Sequence, residues 1–220
     1  MSSKENVAGM ARFGINPKNT YGVSIPDLRR IAKELGKNHV LALQLWRSGI
    51  HEARILASMI DDPQKVTSSQ MERWARDFDS WDVCDQCCSN LFDKTALANR
   101  KAVEWSSRNE EFVKRAAFTL MASLAVHDKT ADDAQFMKFL KIISLQSDDE
   151  RNFVKKAVNW ALRQIGKRSS CLNTAAIATA KKIQEHQSKA AHWIAADALH
   201  ELTSLAVQQR LSKQITAERD

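Results

Sequence analysis

The stretch VKRAA at residues 113–117 returns 41 residues later as VKKAV at residues 154–158. Each copy stands within a longer segment whose apolar residues recur at helical spacing. Offsets of about 40 residues between such segments are typical of helix-pair repeats of the HEAT or armadillo kind. The two copies therefore predict an all-α protein built from stacked helix pairs.

Two weaker matches extend this series. KAVNW at residues 156–160 resembles KAAHW at residues 189–193, at an offset of 33 residues, and Arg54 in EARILA at residues 52–57 belongs to a looser, earlier copy. Stacked helix pairs form a curved solenoid whose second helices line a concave face. Because Lys or Arg recurs in the copies, we expect that face to be basic and suited to a polyanion. Each charge taken singly is as compatible with a solvated helix surface.

Helical spacing of apolar residues continues along almost the whole chain. Ser24 followed by Pro26 is a typical helix start, and Ser69 with Glu72 has the spacing of a capping box. No segment shows sustained alternation between hairpin turns, so no strand is predicted. We predict about a dozen helices, the last of them unbroken over residues 192–210.

The composition limits the class of protein. The 220 residues include 33 Lys and Arg against 26 Asp and Glu, a formal net charge of +7 that is compatible with a nucleic-acid partner. No apolar run has the length of a signal core or a membrane span, so we expect a soluble, cytoplasmic protein without a membrane partner, associated with the nucleoid when bound to DNA. We expect a monomer with a single domain over residues 1–220 and poorly ordered ends at residues 1–8 and 211–220.

Three of the four cysteines, Cys84, Cys87 and Cys88, lie within five residues of one another. A zinc site would need a second pair of ligands at suitable spacing, and none accompanies the fourth cysteine, Cys171. Reduced thiols packed on helices agree better with a cytosolic protein. We therefore expect neither a metal site nor a cofactor.

The cysteines share the stretch FDSWDVCDQCC at residues 78–88 with Trp81 and Asp85, which are four residues apart and so share one face of a helix. One interpretation is an N-cap followed by a packed core Trp. The other assigns the helix start to Asp82 and leaves Asp85 beside Trp81 as a carboxylate with a chemical role.

Familiar catalytic motifs are absent from the sequence: there is no Walker loop, HExxH, GxSxG or dinucleotide fingerprint. The six histidines are scattered, and His127 is expected in a loop. Hydrolysis by a metal or a catalytic triad is therefore poorly supported. What remains is a carboxylate among aromatic side chains on a basic surface, and we expect Trp81, Asp85, Arg115 and Trp160 to share one face.

Five segments together resemble the AlkD-type bacterial alkylpurine DNA glycosylases, which are built from HEAT-like repeats. The resemblance covers residues 10 to about 205, and its WDxxD and KAxxWxLR elements are fairly specific when they occur together. The segments are MARF at 10–13, GVSIP at 22–26 with Arg29 and Arg30, WDVCD at 81–85, KRAA at 114–117 and FVKKAVNWALR at 153–163.

This resemblance implies roles for individual residues. Asp85 is implied as the catalytic carboxylate, Trp81 and Trp160 as the frame around the sugar and phosphate of the damaged nucleotide, and Arg115 as a contact to the nearby backbone. Phe13 stands where the family usually has a tyrosine, and Ser80 where a second Trp is often found. The side chains implied as further DNA contacts are Phe13, Phe153, Lys156 and Arg163.

The resemblance implies a monofunctional glycosylase that removes bases of the 3-methyladenine and 7-methylguanine type from double-stranded DNA without a cofactor. Two alternatives remain open on the same fold. One is a non-catalytic binder of damaged or branched DNA. The other is a protein-binding repeat scaffold, which is a common use of such repeats.

Overall fold

The computed structural model describes residues 2–217, with side chains described up to residue 213. Over these residues it consists of thirteen α-helices and one short 3₁₀ turn, without a β-strand, so the all-α prediction is confirmed. The elements in chain order are α1 (Lys4–Arg12), α2 (Ile25–Leu35), α3 (His39–Arg47), α4 (His51–Ile60), α5 (Ser68–Arg76), α6 (Trp81–Asn90), the 3₁₀ turn (Phe92–Lys94), α7 (Ala98–Trp105), α8 (Glu111–His127), α9 (Asp133–Leu145), α10 (Asn152–Gly166), α11 (Ser170–Gln184), α12 (Lys189–Leu202) and α13 (Leu205–Ala217).

The chain forms two compact units, an N-terminal unit (Met1–Ala98) and a C-terminal unit (Asn99–Asp220). The single domain over residues 1–220 stays a prediction. The described parts of both predicted loose ends are largely helical, since α1 begins at Lys4 and α13 continues to Ala217. Met1 and residues 218–220 lie outside the described residues.

In the N-terminal unit, α4 packs against α2, α3 and α6. The core of this unit is aromatic: the rings of Trp46 and Trp74 stack 3.9 Å apart and nearly parallel. Phe78 meets Trp46 edge-on at 5.9 Å and lies 6.4 Å from Phe92, between centroids. Because Phe78 directly precedes the loop into α6, this buried cluster fixes where that helix begins.

In the C-terminal unit each helix packs against the helix two places further along the chain. One row is formed by α8, α10 and α12, and a second row by α9, α11 and α13. This alternation is the packing expected of stacked helix pairs, in which each pair buries its apolar face against the next. Arg115 and Lys156 are the fifth residues of α8 and α10, so the repeat that predicted the fold is in structural register.

The second match, between residues 156–160 and 189–193, is wrong in register. Helix α10 begins at Asn152 and α12 at Lys189, so equivalent positions are 37 residues apart rather than 33. The difference is about one helical turn, which returns a residue to the same face at 3.6 residues per turn. Matching residue types therefore recur on that face without being structurally equivalent. Asp197 of α12, not Trp193, corresponds to Trp160.

Three predictions about helix ends are also wrong. The helix predicted over residues 192–210 is interrupted after Leu202. The next helix begins at Leu205, and the backbone N–H of Val207 in its first turn donates to the hydroxyl of Ser204, which precedes it. His127 is the last residue of α8 rather than a loop residue. The N-cap of α5 is Thr67, whose side chain accepts from a backbone N–H at 3.1 Å, so the capping box at residues 69–72 does not form.

The start of α2 is confirmed. Ser24 is its N-cap, with its hydroxyl accepting the backbone N–H of Asp27 at 3.3 Å, and Pro26 stands in the first turn. Gly36 ends the helix at a φ of 64°, in the left-handed region that favours glycine. No helix within residues 2–217 is long and apolar enough to cross a membrane.

Candidate nucleic-acid interface

Helix α6 begins with a cluster of hydrogen bonds around Asp82. Ser80 is the N-cap residue, and its hydroxyl donates to Asp82 Oδ1 at 2.6 Å. Asp82 Oδ2 lies 2.8 Å from Nε2 of His51 at the start of α4. The prediction of a helix-start role for Asp82 agrees with this geometry, since its carboxylate ties the first turn of α6 to α4.

The His51–Asp82 contact is an ion pair with shifted titration. Burial disfavours the charged form of His51, but the hydrogen bond and charge of Asp82 outweigh it and raise the pKa of His51. Burial likewise opposes ionisation of Asp82, yet the bonds from His51 and Ser80 lower the pKa of its carboxyl group. Both shifts favour the charged pair, which leaves the Asp82 carboxylate committed to holding the helix.

Trp81 and Asp85 are the first and fifth residues of α6, and both are half-buried. The opposite side of the helix is buried, including Val83 and all three of its cysteines. Trp81 Nε1 donates to the backbone oxygen of Phe13 at 3.0 Å. Trp81 is therefore only partly packed, and Asp85 lies one turn inside the helix rather than at its N-cap.

Phe13 follows the last residue of α1 and is 75% exposed. The start of α1, the helix that ends just before Phe13, packs against the loop at residues 21–23, whose three backbone N–H groups donate to the buried carboxylate of Glu52. Within that loop Gly22 has a φ of 74°, and a Cβ atom there would stand 2.3 Å from the backbone oxygen of Ser3. Only glycine fits this approach of the loop to α1. The GVSIP segment thus has a structural task.

In the C-terminal unit, Arg115 is only 6% exposed. Its Nη1 donates to the backbone oxygen of Phe153 at 2.7 Å, which joins the first half of α8 to the first turn of α10. The ring of Phe153 lies against Phe112 at 5.4 Å between centroids. Burial among these partners gives Arg115 a structural contact that the sequence did not indicate.

A second charged cluster lies at the same end of α8 and α10. Asp149 accepts two hydrogen bonds from the guanidinium of Arg151, at 2.9 and 2.6 Å, and lies 3.0 Å from Lys114 Nζ. Burial alone would raise the pKa of Asp149, but the bonds from Arg151 and Lys114 lower it to about 2. The carboxylate stays ionised and fixes both cations.

The remaining predicted contacts lie along α10. Lys156 is exposed and Trp160 is half-buried. Arg163 is bonded within the protein: its Nη1 donates to Glu201 at 2.5 Å, and its Nε lies 3.5 Å from Asp197. Of these three side chains, Lys156 is thus the one most open to a phosphate group.

The cysteines form no ligand set. Cys84, Cys87 and Cys88 are fully buried, and burial raises the pKa of the Cys87 and Cys88 thiols well above the ordinary value. All four cysteines are free thiols, three of them buried and Cys171 exposed. Among residues 2–217 there is no group of three or more His, Cys, Asp or Glu side chains arranged to hold a metal ion.

Comparison with known families bears directly on these helices. The family model described as "DNA alkylation repair enzyme" matches residues 1–202. The chain belongs to the DNA alkylation repair enzyme family. The match includes every candidate residue of both units, and it confirms the resemblance found in the sequence.

Relatives of this member of the DNA alkylation repair enzyme family occur in Listeria. The protein Lin0241 of Listeria innocua is 25% identical over 166 residues, which cover 74% of this chain and 72% of that protein. The protein Lmo0209 of Listeria monocytogenes is 29% identical over 97 residues, 43% of each chain.

One solved structure shares the fold, with a TM-score of 0.74 over 89% of this chain and 88% of its own, at 18% identity. It is described as belonging to "a new family of proteins related to the HEAT-like repeat DNA glycosylases with affinity for branched DNA structures". At this identity the likeness shows the fold, which confirms the HEAT-like repeat prediction.

Sequence reasoning missed His51 and Glu52 near the start of α4, and it missed the structural partners of Arg54 in the same helix. Each makes a long-range contact, to α6, to the loop after α1 and to the loop before α6 respectively. Apart from the repeat match at Arg54, their sequence signal is a dense run of charged groups at the start of an otherwise apolar helix. That signal does not reveal the partners, which are 23 to 31 residues away in the chain.

Proposed function

We propose that this protein is a monofunctional DNA glycosylase that hydrolyses the N-glycosidic bond of cationic N3- or N7-alkylated purines in duplex DNA. The observation that carries the proposal is the pairing of Trp81 with Asp85, one turn apart on the half-exposed side of α6. The other carboxylate near this end of the helix, Asp82, is committed to His51 and Ser80. Asp85 is the carboxylate that the family resemblance assigns to the chemistry.

The chemistry requires little more than one fixed negative charge. A purine alkylated at N3 or N7 is positively charged and already a good leaving group, so no general acid is needed. As the glycosidic bond breaks, positive charge develops on the sugar, and an ionised carboxylate beside it stabilises that charge electrostatically. The same carboxylate can orient the water that adds to the sugar. No cofactor enters this scheme.

The aromatic residues have a complementary role in the proposal. The face of an indole ring attracts a cation, so Trp81 would stabilise the developing charge and exclude competing water. Its hydrogen bond to the backbone of Phe13 fixes the orientation of the ring. Phe13, 75% exposed, offers a further aromatic surface but no hydroxyl group. Ser80 is buried at the N-cap, so it supports the helix from within.

For the C-terminal unit we propose contacts to the DNA. Trp160 is assigned to the nucleotide, and Lys156 and Phe153 to the adjoining strand. Arg115 and Arg163 would first have to exchange bonds with Phe153 and Glu201, so their contacts to phosphate depend on a rearrangement of side chains.

The deciding experiment is base release from duplex DNA that contains 7-methylguanine or 3-methyladenine. Asp85→Asn is expected to lower the single-turnover rate by about 10²–10³-fold, the usual cost of removing one electrostatic stabiliser. Glu72→Gln on α5 is the matched control, since it makes the same change at another half-buried carboxylate and is expected to keep the full rate. Absence of release by the wild type, or an unchanged rate in Asp85→Asn, contradicts the proposal.

A second candidate function is the binding of branched DNA without excision. It is favoured by the description of the solved structure with the same fold, whose family has affinity for branched DNA. It also agrees with Phe13 and Ser80 in place of the family's usual aromatic residues. This candidate predicts tighter binding to a four-way junction than to a duplex of equal length, together with no base release from either alkylated substrate.

A further inference from the structure

A cavity of about 330 Å³ in the N-terminal unit is lined by three arginines from three successive helices. Arg47 ends α3, Arg54 lies in the first turns of α4, and Arg73 is in the last turn of α5. One carboxylate shares the lining, that of Asp77, and it accepts a hydrogen bond from Trp46 Nε1 at 2.9 Å. This cavity, with its three arginines, is called the arginine pocket below.

The arginine pocket is short of acceptors. Arg54 Nη1 donates to the backbone oxygen of Asp77 at 2.9 Å, but its Nε is buried without a hydrogen-bond partner. A buried donor without an acceptor costs free energy, which a bound acceptor would recover. Within the described part of the chain, the guanidinium groups of Arg47 and Arg73 meet no carboxylate or other acceptor. Three cations therefore share two carboxylates, that of Asp77, which accepts from Trp46, and that of Asp79, 3.6 Å from Arg54.

The aromatic residues that line the pocket limit the class of ligand that could bind there. Trp46 and Trp74 are 2% and 1% exposed and stack on each other, so neither offers a free ring face to a nucleobase. What the pocket does offer is positive charge and planar N–H donors. Guanidinium groups match the oxygens of a phosphate group with two parallel hydrogen bonds. The lining thus suits an oxyanion rather than a base.

We propose that the arginine pocket binds one phosphodiester group of the DNA backbone, as a contact distinct from Trp81 and Asp85. The identity of the ligand rests on the proposed action on DNA. Besides its bond to Asp77, Arg54 Nη1 lies 3.6 Å from Asp79. Residues 77–79 lead directly into Ser80 and Trp81 at the start of α6. A phosphate held by Arg54 therefore sets the register of the strand relative to this helix.

The test measures binding to undamaged duplex DNA over a range of salt concentrations. Each phosphate neutralised by a protein contributes about 0.9 to the slope of log affinity against log salt. The double variant Arg47→Gln/Arg73→Gln is expected to reduce the magnitude of that slope by roughly one phosphate. Because both side chains are exposed, the melting temperature is expected to stay unchanged. A slope equal to that of the wild type overturns the proposal.

A charge-matched control separates a built site from general attraction. Lys138→Gln/Lys141→Gln on α9 removes the same two positive charges from exposed positions. We expect this variant to keep the wild-type slope. An equal loss of slope in both double variants would show that only net charge matters, and would overturn the proposal.

Titration with small anions tells a backbone phosphate from a free one. Dimethyl phosphate added to ¹⁵N-labelled protein is expected to shift the Trp46 Nε1–H and Arg54 Nε–H resonances, with DNA competing for the same site. Two results together would show that the pocket binds a free anion, and the proposal would fail. Inorganic phosphate would shift these resonances without competition from DNA, and the salt dependence of DNA binding would be the same in Arg47→Gln/Arg73→Gln as in the wild type. Failure of the glycosylase assignment is distinguishable, because it appears as absent base release with this phosphate contact intact.

Discussion

Internal hydrogen bonds and ion pairs of single residues decide which charged side chains are available to a polyanion. The copies of the repeat indicate Arg115 and Arg163 as surface cations, but the structure bonds them to Phe153 and Glu201. Both partners lie 38 residues away, one repeat further along the chain. A single sequence shows that an arginine recurs, but not which carbonyl or carboxylate the stacking of the next repeat brings to it.

Trp81 and Asp85, by contrast, were predictable from the sequence alone. Their shared helix face depends only on a spacing of four residues, and the structure places them as half-buried neighbours on α6. The partner of Asp82 was not predictable, because His51 belongs to another helix and its own sequence context is unremarkable.

The His51–Asp82 pair is expected to hold the first turn of α6. Removing one partner strands the other in a buried site, so Asp82→Asn and His51→Gln are each expected to lower the free energy of unfolding by roughly 1–3 kcal/mol. Urea unfolding of both single variants and the double variant measures this. The double variant is expected to lose less than the sum; strict additivity would show that the two side chains do not interact.

The same pair predicts a dependence on alkaline pH. Since the pKa of His51 is raised from 6.5, its stabilisation is complete below pH 6.5 and is lost as the pH rises through the folded-state pKa. Asp82→Asn is expected to lack this loss, which a urea series from pH 6 to pH 9 would detect.

Asp149 predicts the opposite behaviour in acid. Its pKa is lowered from 3.8 to about 2, so its contribution is complete above the unfolded value and disappears as the pH falls through the folded one. We expect the wild type to lose about 1–2 kcal/mol more than Asp149→Asn between pH 5 and pH 2. Parallel curves for the two proteins over this range would contradict the assignment.

At the scale of the helices, the sequence predicted a helix end correctly where only one residue could serve as its cap. Ser24, Pro26 and Gly36 mark the ends of α2 without rivals, and the structure follows them. At α5 three hydroxyl residues stand in a row, Thr67, Ser68 and Ser69, and each could serve as a cap. The sequence cannot rank them, since the choice depends on where the helix packs. The break between α12 and α13 contains neither Gly nor Pro, so the sequence does not indicate it.

The loop that anchors α1 offers a sharp test at this scale. Gly22→Ala forces a Cβ atom to within 2.3 Å of the backbone oxygen of Ser3, at a φ of 74°. We expect the free energy of unfolding to fall by more than about 1 kcal/mol. Hydrogen exchange in α1 is expected to become faster, because the contact between that helix and the Glu52-bound loop is lost. DNA affinity is expected to fall as well if Phe13 contacts the strand.

Gly9→Ala is the matched control for this loop. It makes the same substitution within α1 itself, where an added Cβ atom would have no neighbour within 4 Å. Alanine is the better helix former by roughly 0.5–1 kcal/mol, so this variant is expected to be at least as stable as the wild type. Equal destabilisation of both variants would show that the strain at Gly22 is not the cause.

For the whole molecule, the family and the repeat fold were predictable because they depend on many weak signals spread over the chain. Which of the cations are available for binding was not predictable from the sequence. The net charge of +7 includes cations that are committed internally, whereas the arginine pocket lies outside the strongest repeat copies. Charge counted from composition therefore indicates attraction to a polyanion but does not locate the binding surface.

The thiols report on the whole fold. Cys84, Cys87 and Cys88 are completely buried, while Cys171 is exposed. With a thiol-specific chromogenic reagent we expect one of the four cysteines to react quickly in the native protein and the other three only on unfolding. Rapid reaction of two or more thiols in the native state would contradict the packing of α6.

The stacked indoles of Trp46 and Trp74 give the N-terminal unit an optical signature. Two indoles stacked 3.9 Å apart couple their electronic transitions, which changes the near-ultraviolet absorption band of the pair. Arg54 lies 5.5 Å over the Trp46 ring, so its electric field acts on one of the two chromophores. Neutralising that cation with a bound phosphate changes the field and the band with it. The protein thus contains, without any label, a spectroscopic readout of whether its arginine pocket is filled.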